Sequence, residues 1–116
     1  MGRDIELVNT LINAGDTKKG QISIGNNVFF GHDVMLIARG HDYTKFGKAR
    51  KKAIIEKPIA IGNGVWIGSR AIILGGANIG QNCVIAAGSV VGRPIPQNTI
   101  WGGIPARLIK KIPKKK

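Results

Sequence analysis

The sequence predicts an all-β parallel β-helix, a prism of stacked short strands, on three observations: branched aliphatics recur every six residues, small residues follow them, and one lysine-rich segment breaks the count. From Ile61 the chain reads IGNGVW, IGSRAI, ILGGAN, IGQNCV, IAAGSV, VGRPIP, led by Ile61, Ile67, Ile73, Ile79, Ile85 and Val91. That period matches neither the turn of a helix, about 3.6 residues, nor plain strand alternation; it fits one short strand plus a corner. The second position is small at Gly62, Gly68, Gly80, Ala86 and Gly92, which lets the backbone turn tightly. The fifth carries Val65, Ala71, Ala77, Cys83, Ser89 and Ile95 and is expected to fill the space beside the corner. Upstream, Ile24, Phe30 and Leu36 open three similar units.

Composition agrees with a single domain over residues 1–116. The chain is 43% hydrophobic and 21% charged, enough to bury a core. Seventeen glycines call for many turns, while five prolines and the regular apolar positions argue against a disordered chain. Cys83, the lone cysteine, has no internal partner and is expected to act as a small buried hydrophobe. No long apolar run or leader-like segment occurs, so a reduced, cytoplasmic setting is the default expectation.

Taken in order, about twenty residues precede the clear repeats. The β-helix is expected over 20–104, with an insertion: Leu36 and Ile61 are 25 residues apart, one more than a multiple of six. The insertion falls in a polar, lysine-rich loop over 42–57, leaving a corner just after His41, and such loops on rigid scaffolds often carry function. The stretch PARLIKKI, 105–112, has apolar residues spaced as one face of a short terminal helix, which would cap the stack. Residues 113–116 form a basic tail.

Four segments, HDYT at 41–44, KPIAIGNGVWIGSRAIIL at 57–74, IAAGSVV at 85–91 and WGGIPARLIKKI at 101–112, carry a resemblance. Over residues 20–112 the chain resembles the hexapeptide-repeat acyltransferases, particularly the small sugar O-acetyltransferases. The resemblance implies left-handed coiling, against the usual sense of parallel crossovers, and a homotrimer with acetyl-CoA as acyl donor in a groove between neighbouring subunits. The resemblance implies no metal requirement.

Acyl transfer to a hydroxyl needs a base to withdraw the proton as the bond forms, and imidazole, which titrates near about pH 6.5, suits neutral conditions. Through the HDYT match the resemblance implies that His41 is this base, with His32 as the fallback. Asp33, Asp42 and Glu56 are the nearby carboxylates that could orient an imidazole, and spacing does not choose among them. For the cofactor the resemblance implies Ser69, whose N–H would meet a developing oxyanion, and Ala87, a backbone contact for the pantetheine arm. It further implies Arg93, Arg107 and Lys110 as cations near the nucleotide phosphates. Arg93 stands where relatives commonly have Thr-Lys, so positive charge is kept and the threonine contact is lost. Tyr43 and Lys45 in the loop are the candidates for acceptor binding, and the loop's lysines hint at an anionic sugar.

The expected function is therefore acetyl-CoA-dependent O-acetylation of a sugar, nucleotide sugar or glycan precursor, with an amine or antibiotic acceptor as one alternative. A net charge of +12 also raises a second class, a basic trimer that binds nucleic acid or acts as a scaffold, with weak membrane-surface association. No nucleic-acid reading motif is present, so no specific nucleic acid is expected. A zinc enzyme on the same fold would need about three histidines, and the chain has two.

Overall fold

In the computed structural model, which describes residues 1–113, the six-residue units close into a three-faced prism with extents of 55 × 28 × 22 Å. Residues 114–116 of the basic tail lie outside the described residues. The first face stacks β1 (Glu6–Val8), β4 (Phe29–His32), β9 (Trp66–Ile67), β12 (Val84–Ile85) and β15 (Thr99–Gly103). The second stacks β2 (Leu11–Asn13), β5 (Met35–Ile37), β10 (Ile72–Leu74) and β13 (Val90–Val91). The third stacks β3 (Ile22–Ile24), β8 (Ile59–Ile61), β11 (Asn78–Ile79) and β14 (Pro94–Ile95). All pairs within these stacks are parallel, so each turn of chain lies over the one before at the ordinary strand spacing of about 4.8 Å.

The leading aliphatics point inward and stack on their own kind. Leu36, Ile73 and Val91 form one ladder, and Phe30, Ile67, Ile85 and Trp101 another. All seven are buried, five of them completely, and burial of a branched aliphatic is worth about 1.5–3 kcal/mol each. Cys83 is also fully buried, its Sγ 2.9 Å from the Pro96 carbonyl, as a small core residue should be. Corners turn through left-handed backbone, at Asn27, Gly64, Asn82 and Asn98 on the corner between third and first faces, and at Asn9, Asp33, Arg70 and Gly88 between first and second. Asparagine and glycine tolerate this conformation best, which explains their recurrence there.

Three expectations are corrected. Ile95 is not a corner filler: it stacks directly on Ile79, because the last coil is short at the corner between second and third faces. The stretch 105–112 is not a helix. Ala106–Lys111 is a strand, β16, antiparallel to β15, which otherwise would leave its outer edge unpaired. A turn at Ile104 and Pro105 makes that pairing local, whereas eight isolated residues are too few to nucleate a stable helix. The 42–57 insertion is more than a loop: β6 (Arg39–His41) and β7 (Ile54–Glu56) pair antiparallel and carry a short helix, α1 (Gly47–Lys52), between them.

Candidate active site

His41 ends β6, on the hairpin that leaves the corner between second and third faces in the second coil. Its Nδ1 lies 3.1 Å from the backbone carbonyl of Arg50. A carbonyl oxygen only accepts, so Nδ1 carries the hydrogen and the Nε2 lone pair is left outward, the tautomer a general base requires. Arg50 also fixes the turn before it: Nε donates to the Lys45 carbonyl at 2.7 Å, Nη2 to the Tyr43 carbonyl at 2.9 Å, and the guanidinium stacks over Phe46 at 5.5 Å. One residue thus holds the imidazole with its backbone and the turn with its side chain.

The hairpin base is tied to the first coil by Glu56. Its carboxylate accepts from the Thr17 hydroxyl at 2.6 Å, the Asp16 amide at 2.7 Å and the Thr17 amide at 2.9 Å, and stands 3.8 Å from the Arg39 guanidinium. The Thr17 hydroxyl first, then the two amides and the Arg39 charge, hold the Glu56 carboxyl below its usual range, against a partial burial that opposes them. A Cβ on Gly15 would meet the end of the Glu56 side chain, 2.5 Å from Oε1, so this glycine lets the carboxylate lie close against the first coil. Asp42 bonds the hydroxyl and amide of Thr44, in that order of effect, which lowers its carboxyl too. Among the described residues, then, none of the three candidate carboxylates bonds the imidazole; a peptide carbonyl does.

His41 borders a crevice of about 290 Å³ with Ile37, Ile55 and Leu74 as apolar lining and Arg39, Tyr43 and Lys57 as polar lining. Tyr43 is therefore brought beside His41, while Lys45 is not in the crevice. Ser69 and Ala87 stand elsewhere, stacked in consecutive coils on the corner between first and second faces, where the Gly88 amide bonds the Ser69 carbonyl at 2.9 Å. Neither the Ser69 nor the Ala87 N–H has a hydrogen-bond partner among the described residues, so two free donors lie one coil apart on this edge. The coils pack so closely here that a Cβ on Gly31 would come within 2.5 Å of the Ser69 nitrogen, and one on Gly68 within 2.6 Å of the Ala87 nitrogen. His32 shares this corner; its own N–H bonds the Ser69 hydroxyl at 3.0 Å.

The cations divide between the two edges. Arg107 pairs with Gly102 in the terminal hairpin, whose Gly103 amide bonds Ser89 Oγ at 3.0 Å, so it stands near the Ser69 edge. Lys110 pairs with Ile100, further back along β16. Arg93 sits on the other corner, over the Trp101 ring at 5.4 Å. Within one chain, the predicted base and the predicted cofactor amides therefore occupy opposite edges of the second face.

Comparison with known proteins fits this arrangement. A family model described as bacterial transferase hexapeptide (six repeats) matches residues 58–93. A galactoside O-acetyltransferase of Escherichia coli (strain K12) is 42% identical over 92 residues, covering 78% of this chain and 44% of that protein. The solved structure of a maltose O-acetyltransferase from Clostridium difficile 630 is 32% identical with a TM-score of 0.76, covering 98% of this chain and 68% of that one. A galactoside acetyltransferase solved in complex with coenzyme A is 32% identical with a TM-score of 0.77, covering 97% and 64%. The chain spans less than half the length of two of the curated relatives it matches, 44% and 48%. Its repeats, its structural match to these proteins and its identity with them establish that the chain belongs to the hexapeptide-repeat acyltransferase family, with the family's left-handed parallel β-helix.

Proposed function

We propose that the protein is an acetyl-CoA-dependent O-acetyltransferase that acetylates a sugar or glycan hydroxyl, with His41 as general base. The observation that carries this reading is the 3.1 Å contact of His41 Nδ1 with the Arg50 carbonyl, which as a hydrogen bond leaves Nε2 to act as the base, on a residue that borders a crevice. The relatives support the donor and the acceptor class, since they include a galactoside acetyltransferase bound to coenzyme A and a maltose O-acetyltransferase.

In this reading Nε2 takes the proton of an acceptor hydroxyl as its oxygen attacks the thioester carbonyl. The negative charge gathering on the carbonyl oxygen meets the unpaired Ser69 N–H, and the Ala87 N–H one coil away bonds an amide of the pantetheine arm. Collapse of the tetrahedral species breaks the carbon–sulfur bond, and the imidazolium returns its proton to the departing thiolate. Arg107 and Lys110 supply positive charge for the nucleotide phosphates, joined across the shared groove by Arg93 from the other corner, and Tyr43, in the crevice beside His41, approaches the acceptor.

Because base and amides stand on opposite edges of one chain, a complete site needs a second copy, whose Ser69 edge faces the His41 hairpin of its neighbour. Homotrimeric association does this while covering apolar surface. Phe29, Trp66, Val84 and Ile100 align outward on the first face, with Phe29 and Trp66 stacked at 5.9 Å, and Leu11, Met35, Ile72 and Val90 align on the second. The third face presents Ser23, Ala60, Asn78 and Pro94, a far poorer contact surface. Such two-faced, head-to-tail contact closes into a ring.

The test is thiol release from acetyl-CoA across a panel of sugar acceptors. Removing a general base costs about 10²–10⁴-fold in turnover, so His41→Ala is expected to fall by that factor and His32→Ala to stay within a few-fold of the parent. If His32→Ala alone abolishes turnover, the base is on the wrong corner in this account. Sedimentation of a stable monomer at micromolar concentration contradicts the shared site.

A further inference from the structure

The hairpin that presents His41 carries a second feature that its fold does not explain. Between residues 43 and 55 there is no acidic residue and there are five cations, Lys45, Lys48, Arg50, Lys51 and Lys52. Only Arg50 is engaged in the hairpin's own structure. Lys48, Lys51 and Lys52 occupy positions i, i+3 and i+4 of α1, which is the spacing that brings like charges together and weakens a helix. Little in α1 offsets this: no residue is buried, its N-cap Phe46 makes no side-chain cap bond, and its first turn has no acid. The carbonyl end of the helix favours Lys51 and Lys52, which stand in its last turn, but gives nothing to Lys48 in the first.

The three lysines and Ile54 surround one surface hollow of about 660 Å³. Ile54 is the cross-strand partner of His41, and partners of that kind have Cβ atoms about 5 Å apart. The hollow therefore begins one side chain from the base. Two of the chain's six aromatic residues, Tyr43 and Phe46, stand at the same tip with 81% and 79% of their surface exposed. Flat apolar rings in the turn that leads into the lysine-bearing helix suit a sugar chain, whose C–H faces are apolar and whose substituents can be charged.

We infer that Lys48, Lys51, Lys52 and Ile54 form an acceptor subsite for an anionic group, carboxylate or phosphate, on the sugar next to the one that offers its hydroxyl to His41. The inference rests on the glycan-acetylation reading above and names its substrate class: an acidic glycan. An occupied hollow relieves the lysine repulsion that the free protein carries.

Calorimetric titration tests it with four probes: a hexamer of galacturonate, a phosphorylated maltohexaose, plain maltohexaose, and a single-stranded oligonucleotide of equal charge. The parent and the combined variant Lys48→Gln, Lys51→Gln, Lys52→Gln are compared, since these exposed positions leave the core untouched. The parent is expected to bind at least one anionic glycan about tenfold more tightly than maltohexaose, and the variant to lose that margin. Which of the two acidic probes shows the margin distinguishes carboxylate from phosphate. No margin in the parent, a margin that survives in the variant, or equal binding of the oligonucleotide overturns the inference. Acetyl-CoA thiol release with the same sugars separates the two ideas: turnover of maltohexaose without any margin leaves the acetyltransferase standing and removes the subsite. A margin lost in the variant, with no thiol release from any sugar, leaves the subsite standing and removes the acetyltransferase.

Discussion

Two corners of the prism obey opposite rules. The corner between first and second faces is built the same way in each coil: a left-handed residue at Asn9, Asp33, Arg70 or Gly88, and backbone so close to the next coil that Gly31 and Gly68 have no room for a Cβ. The corner between second and third faces keeps no fixed length. It holds a 3-10 turn, Lys18–Gly20, in the first coil and the β6–α1–β7 hairpin in the second, and it is short in the fourth, where Ile95 falls onto Ile79. Stacking energy is collected by the inward ladders, so a coil tolerates any excursion that returns in register; a corner that must offer free amides tolerates none. The tight corner fixes where unpaired donors stand, and the loose one can reach.

The comparison is broken most severely by one added methyl group placed on each corner in turn. Gly68→Ala forces a Cβ against the Ala87 nitrogen and the Ile85 carbonyl oxygen, both backbone and unable to step aside, and is expected to cost about 3 kcal/mol or more in urea unfolding. Gly40→Ala, in the hairpin, meets nothing within 4 Å and is expected to stay within about 0.5 kcal/mol of the parent. Equal losses at both positions contradict the division between the corners.

A smaller effect is expected from Arg50→Ala, which removes the two bonds holding the Tyr43–Lys45 turn and loosens the carbonyl that orients His41. Turnover is expected to fall about ten- to a hundredfold, the scale of a misplaced catalytic group, with little change in KM for acetyl-CoA, whose proposed amide contacts, Ser69 and Ala87, lie on the other corner. A fall confined to KM for the cofactor sinks this role.

Smallest is the effect of Glu56→Gln, and it has a sign. The Glu56 carboxyl is held below the ordinary range in the folded protein, so its contribution is fully present above the ordinary glutamate value of about 4.3 and is lost as pH falls through the folded value. Melting temperatures are expected to show Glu56→Gln less stable than the parent near pH 7 and indistinguishable from it in strong acid. A difference that persists undiminished at low pH shows that the charge is not what ties the hairpin to Thr17.

The inward ladders were legible because burial repeats: every leading aliphatic from Ile61 to Val91 is buried, and Cys83 filled the corner it was expected to fill. The break in phase after Leu36 likewise located the hairpin. Ile95 was misplaced because a coil shortened at its corner shifts the count without changing residue types. The terminal strand was missed because Leu108 and Ile109 fit either period, and its pairing with Thr99–Gly103 depends on an open sheet edge that only the assembled stack reveals. At the site, the sequence placed His41 at the edge of the insertion, whereas the group bonded to its ring could not be read: the sequence advertises the carboxylates Asp33, Asp42 and Glu56, and a peptide carbonyl leaves no mark on residue identity.

With only His32 and His41 in the chain, nitrogen-15 NMR of the imidazoles tests the central claim most directly. At about pH 8, where imidazole is neutral, His41 is expected to carry its hydrogen on Nδ1 and to show an unprotonated Nε2. A hydrogen found on Nε2 instead would mean that the lone pair faces Arg50, and that this hairpin presents no base.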